Sequence, residues 1–130
     1  MLRQNTFLRY ALLADAFASG ATGLMMLAGA GLLEGLLGLP TALMREAGLV
    51  LVPYVAFVAW VGTRDAISRP AVQAIIALNV LWVVGSAVVL FAFVAPTLLG
   101  YVFVVAQAIV VGVFAELQFI GLRRSDTVAA

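Results

Sequence analysis

Six side chains in this sequence have the chemistry to do something inside an otherwise apolar chain: the carboxylates Asp15 and Glu116, the amides Asn79, Gln107 and Gln118, and the guanidinium of Arg64. A carboxylate can take up a proton or pair with a cation, an amide can donate and accept at once, and a guanidinium can supply a counter-charge. Other chemistries are excluded by what is missing. The chain has no His, no Cys and no Lys. That removes imidazole and thiolate metal sites, disulfides, histidine-ligated haem, cysteine nucleophiles and lysine or histidine bases. No glycine loop follows a strand to cradle a phosphate, and the Gly-rich stretch 29–38 reads as a helix end and a loop. The expectation is a protein that is no enzyme and has no cofactor and no metal.

Composition says where these groups sit. With 65% hydrophobic residues, 10% charged residues and mean hydropathy +1.20, the chain lies far from the soluble norm of about 25% charged residues. Its polar residues cluster at the ends of apolar runs instead of recurring at amphipathic spacing, so the solvent for most of this surface is the lipid bilayer. A net charge of +1 and the absence of a basic run with interleaved aromatics argue against nucleic acid.

A spanning helix needs about 20 apolar residues, and four spans are expected in one domain covering residues 1–130, at about 8–33, 47–61, 71–94 and 98–122. The stretch 34–46 reads as a loop. Pro53 should kink the short second span, with neighbouring helices satisfying the freed carbonyl. Pro70 suits a helix start, and Ala95, Pro96 and Thr97 leave room only for a tight antiparallel turn. The basic start followed by an apolar run resembles a secretory signal, but the run is too long for one and is interrupted by Asp15, so a permanent helix is expected. Arg3, Arg9, Arg64, Arg69, Arg123 and Arg124 fall on one side of this layout and only Arg45 on the other. By the positive-inside rule both termini are cytoplasmic, and insertion in both orientations is disfavoured. The turns Leu39-Pro40-Thr41 and Ala95-Pro96-Thr97 echo each other, which suggests two hairpins related by an axis along the membrane normal.

Asp15 lies roughly 10 Å inside the first span. Charge at the centre of a spanning helix costs about 2.5 to 3.5 kcal/mol, so Asp15 must be neutral, paired or facing water. Ser19, Thr22, Gly23 and Met26 share its side of the helix, a small and polar face suited to packing. Glu116 on the fourth span and Asn79 on the third reach a similar depth, and Arg64 can snorkel toward them. An intramembrane polar cluster of Asp15, Asn79, Glu116 and Arg64 is therefore expected, either as a hydrogen-bonded clasp or as a functional group. Gln107 and Gln118 fall about 20° apart on the helical wheel and nearly opposite Glu116, so they are expected to face a protein partner. Tyr10, Trp60 and Tyr101 look like interfacial anchors. Tyr54 and Trp82 lie deeper and need polar partners; with Ser19 and Ser86, Trp82 is a candidate cavity lining.

The combination Leu8-Arg9-Tyr10-Ala11-Leu12-Leu13-Ala14-Asp15, Gly38-Leu39-Pro40 and Ala77-Leu78-Asn79-Val80-Leu81-Trp82 resembles small four-helix membrane proteins of bacterial genomes. The resemblance implies a bacterial plasma (inner) membrane location and a four-span topology, and brings no activity or site with it. Small multidrug carriers share the layout of four spans with an acid in the first, but the arginine asymmetry departs from their dual-topology members. Three functions are expected in order. The first is an interaction or accessory subunit, as a homo-oligomer or with another membrane protein. The second is a proton-coupled carrier of a small hydrophobic or cationic solute, with Asp15 as the protonatable binding group and Glu116 as the relay. The third is a lipid- or quinone-binding protein with a cleft near Trp82.

Overall fold

The computed structural model describes residues 6–92 and 95–126, and these form four α-helices: α1 (Thr6–Leu37), α2 (Thr41–Gly62), α3 (Arg69–Ala92) and α4 (Leu98–Asp126). All four are long and apolar enough to cross a membrane. The protein is an all-α membrane protein built from two helical hairpins. Arg3 and Val94, to which the sequence assigns a flanking charge and the end of the third span, lie outside the described residues.

The stretch 34–46 is not a loop. Only residues 38–40 leave helical geometry between α1 and α2, because both helix ends find partners there. Gly38 takes a left-handed φ of 69° and donates its N–H to the Glu34 carbonyl at 2.9 Å, closing α1 in the way glycine permits. The Glu34 carboxylate accepts from the Thr41 N–H at 3.2 Å at the start of α2. Thr97, before α4, caps that helix through its hydroxyl oxygen, which accepts from the Gly100 N–H at 3.1 Å. It also donates its own N–H to Leu37 O at 3.0 Å and its hydroxyl to Leu36 O at 2.8 Å. The two similar turns thus dovetail, and one satisfies the other's orphan carbonyls.

At the opposite end, Arg9 lays its guanidinium on the carbonyls that end α2, reaching Gly62 O at 2.7 Å and Arg64 O at 2.8 Å, where a cation complements the helix dipole. Arg124 stacks over Phe7 at 4.9 Å. The described arginines other than Arg45 therefore gather at one end of the bundle.

Helix α1 is the common neighbour. It packs closely on α2 and on α4, α3 packs on α4, and α2 and α3 scarcely approach each other. Glycines mark the close seams. A Cβ at Gly48 would meet Leu27 Cγ at 2.8 Å, and one at Gly121 would meet Leu8 Cα at 3.1 Å; such absent side chains let helix backbones approach in lipid, where hydrophobic driving force is lacking. Two apolar clusters fill the ends of the bundle. Leu8, Leu12, Val58, Val61, Ile67, Val72 and Ile75 plug the arginine end, and Met26, Ala30, Leu37, Leu39, Met44 and Leu51 plug the other. Between the plugs lie the polar groups and a cavity.

Candidate functional site

Asp15 is 1% exposed, Asn79 3% and Gln118 0%. The three belong to α1, α3 and α4, and Tyr54 joins them from α2. The Asp15 carboxylate is the hub. Its Oδ1 accepts from the Ser19 hydroxyl at 2.9 Å, while its Oδ2 lies 2.6 Å from Tyr54 Oη and accepts from Gln118 Nε2 at 2.7 Å and Asn79 Nδ2 at 3.2 Å. Asn79 Nδ2 also donates to Gln118 Oε1 at 2.9 Å, and Tyr54 Oη stands 2.7 Å from Asn79 Oδ1. These contacts form a closed ring: Asp15, Tyr54, Asn79, Gln118, and back to Asp15.

Hydrogen supply organises this ring. Tyr54 brings one hydrogen and stands within reach of both Asp15 Oδ2 and Asn79 Oδ1. Asn79 gives one N–H to Gln118 and the other to Asp15, and Gln118 gives one to Asp15. With Ser19 on Oδ1, side chains from all four helices converge on the Asp15 carboxyl group, and such partners offset the cost of burying it at this depth.

The expected cluster is altered in two members. Glu116 is exposed on the outer face of α4, and Gln118 occupies the inward position. The wheel separates these two correctly, but it cannot say which of two polar faces points in. The chemistry of the ring decides it: an amide between Asn79 and Asp15 accepts from one and donates to the other, whereas a second carboxylate would add only acceptors beside the first. Arg64 does not reach the layer. Its Nε donates to Trp60 O at 3.3 Å and its guanidinium stacks 5.0 Å above the Trp60 ring, an arrangement that holds the charge at the helix end. Gln107 and Gln118 share a face, as the spacing requires, and it is the inner one.

Gln107 belongs to a second polar group. Its Oε1 accepts from the Trp82 indole N–H at 2.7 Å, and its Nε2 donates to Ser86 Oγ at 3.0 Å and Val104 O at 2.9 Å. Ser86 donates to the Trp82 carbonyl at 2.8 Å. Between this group and the ring lies a cavity of about 470 Å³ to which all four helices contribute, within the usual range of small-molecule sites. Ser19 and Trp82 are on its wall, as the sequence suggests, while Ser86 stands behind Gln107. Pro53, inside α2, lines it with Leu51, Phe57, Val111 and Phe114. Asp15 does not line it: Ser19, Tyr54 and Asn79 come between.

Tyr54 and Gln118 are the members of the ring that the sequence does not place there. The signal for Tyr54 is a phenol in mid-span whose hydroxyl needs a partner; for Gln118 it is the amide's two-way hydrogen bonding. Among the described residues no group of acids is placed to hold a metal ion. No protein-family model, no curated protein and no solved structure matches the chain.

Proposed function

We propose that this protein binds a small, mainly apolar molecule within the bilayer, admitting it sideways between α2 and α3. The observation that carries this reading is the 470 Å³ cavity at the one sequential helix pair that barely packs. Its wall is apolar over most of its extent and polar at a few convergent points, the usual composition of a ligand pocket. Binding, with or without passage across the membrane, suits such a wall better than catalysis, since Asp15 is screened from the cavity. The six-to-one arginine bias supports a plasma-membrane orientation with cytoplasmic termini.

The test is retention. Protein extracted in patches of its own membrane is compared with Val111→Trp, which places an indole in the cavity, and small molecules released from each are identified by mass spectrometry. A species enriched with the natural protein and lost from Val111→Trp is the expected result. Equal recovery from both would remove the reading.

An accessory or interaction role remains as a second reading, and one observation favours it. Glu116 faces outward roughly 10 Å from the helix end at Arg123, a depth at which an acid facing hydrocarbon is costly, so a partner helix or a second copy would relieve it.

A further inference from the structure

Six polar side chains face the cavity: Ser19, Thr22, Tyr54, Asn79, Trp82 and Gln107. Every polar hydrogen they own is already given to another protein atom. The Ser19 hydroxyl donates to Asp15 Oδ1 at 2.9 Å and the Thr22 hydroxyl to Ala18 O at 2.8 Å. The Tyr54 proton is held in the ring, and the two Asn79 N–H groups go to Gln118 Oε1 and Asp15 Oδ2. The Trp82 N–H goes to Gln107 Oε1, and both Gln107 N–H groups go to Ser86 Oγ and Val104 O. The Gln107 amide cannot be turned round, because an indole nitrogen only donates. What remains for a ligand is acceptor capacity, the lone pairs of the Ser19, Thr22 and Tyr54 oxygens.

From this we infer that the cavity selects molecules that bring their own hydrogen-bond donor on an apolar body: an alcohol, a phenol or an amine. Acceptor-only molecules such as ketones, esters, ethers and oxidised quinones find no free hydrogen there. The inference rests on the cavity reading above and names its ligand class. A molecule arriving from hydrocarbon leaves no water behind, so the selection comes from the bond a donor gains. One net hydrogen bond corresponds to a preference on the order of five- to tenfold. For an acceptor to be bound equally well, either the Asp15 ring or the Trp82–Gln107 pair would have to open.

Matched probes test this on the full chain in lipid nanodiscs. Radiolabelled 2-naphthol and 2-acetylnaphthalene share a ring system and differ in offering a donor or only an acceptor; unlabelled 2-methoxynaphthalene, the methyl ether of the first, serves as competitor. Partition into lipid is subtracted with Val111→Trp and, should that variant lose its helical circular dichroism, with Ala18→Phe. The expected result is naphthol binding that the filled cavity abolishes, with the ether and the ketone weaker on the order of five- to tenfold. If the ketone or the ether binds as well as naphthol, and filling the cavity abolishes both, the donor inference is overturned and the cavity reading stands. If no probe binds above the filled variant, both are overturned.

Discussion

The α1/α4 seam and the α2/α3 seam occupy equivalent places in the two-hairpin plan, yet one is shut and the other open. At the first, α4 brings Gly100 against the Leu37 carbonyl and Gly121 against Leu8, so the backbones touch at both ends. At the second, the backbones stay apart and the connection is made by side chains: Tyr54 of α2 reaches Asn79 of α3 through one hydroxyl at 2.7 Å. An exact twofold along the membrane normal would make the seams alike. The asymmetry shows how four similar helices make a cavity: glycines bring α1 close to α2 and to α4, and hydrogen bonds tie α2 to α3 at arm's length.

Adding a methyl group where backbones touch, and where nothing is near, gives the largest expected effect. A Cβ at Gly100 collides with the Leu37 carbonyl oxygen and stands 2.7 Å from Pro96 Cβ, whereas one at Gly85 or Gly112 has nothing within 4 Å. Gly100→Ala should cost about 3 kcal/mol, the upper end of ordinary overpacking, because the obstacle is backbone. Gly85→Ala and Gly112→Ala should be neutral or stabilising by up to about 1 kcal/mol through helix propensity. Reversible unfolding in mixed micelles with rising dodecyl sulfate measures all three. Equal losses would mean that the open and closed regions are not as different as described.

Next comes the ring that spans the bundle. Gln118→Leu keeps side-chain volume but strips partners from Asn79 Nδ2 and Asp15 Oδ2, and should cost about 2 kcal/mol of protomer stability. Copy number, read by native mass spectrometry, should not change. The reverse pattern, an unaltered protomer with a loosened assembly, would return Gln118 to the interface that the sequence suggests for it.

Tyr54→Phe is smaller in energy and more selective. It removes one hydroxyl, worth about 1 kcal/mol in a membrane interior, that reaches both Asp15 of α1 and Asn79 of α3; α1 and α2 stay packed through Gly23 and Gly48, so the change should show at the open seam. Because the chain has no Cys, spin labels can be placed singly at exposed sites: Val52 and Leu81 across α2/α3, Phe17 and Ile109 across α1/α4. The first distance distribution should broaden in Tyr54→Phe and the second should not.

Much of this arrangement is legible in the sequence and the rest is not, for physical reasons. Hydropathy over 20-residue windows locates four spans because the bilayer demands length and apolarity of each helix separately. The ends of α1 and α2 escape that test: Glu34 and Thr41 look like loop residues until the distant Thr97 is known to satisfy α1's last carbonyls. Depth along a helix is likewise a local property, so the level shared by Asp15 and Asn79 can be read from spacing. Azimuth is relational. Whether Gln118 or Glu116 faces inward depends on what the other three helices present, and the wheel of α4 alone holds no such information. The cavity is less legible still, since it arises from two helices failing to pack.

The smallest stability effect belongs to Glu116, and it sharpens the comparison from outside the bundle. The residue is exposed on the face of α4 that also shows Val102, Val105, Ile109 and Val113, away from both seams and the cavity. Glu116→Leu removes no hydrogen bond or ion pair to the described residues, so unfolding in mixed micelles should shift by no more than about 0.5 kcal/mol, as for a surface change. Two arrangements in the native membrane then differ in a measurable way. If α4 faces lipid alone, removing an acid from hydrocarbon should raise the yield of inserted protein, because each such group opposes insertion. If α4 is covered by a second copy or another protein that pairs with the acid, yield should hold and the assembly recovered in native membrane patches should shrink. The outcome decides whether α4's outer face is a boundary with lipid or a third kind of seam, closed by a neighbour outside the chain.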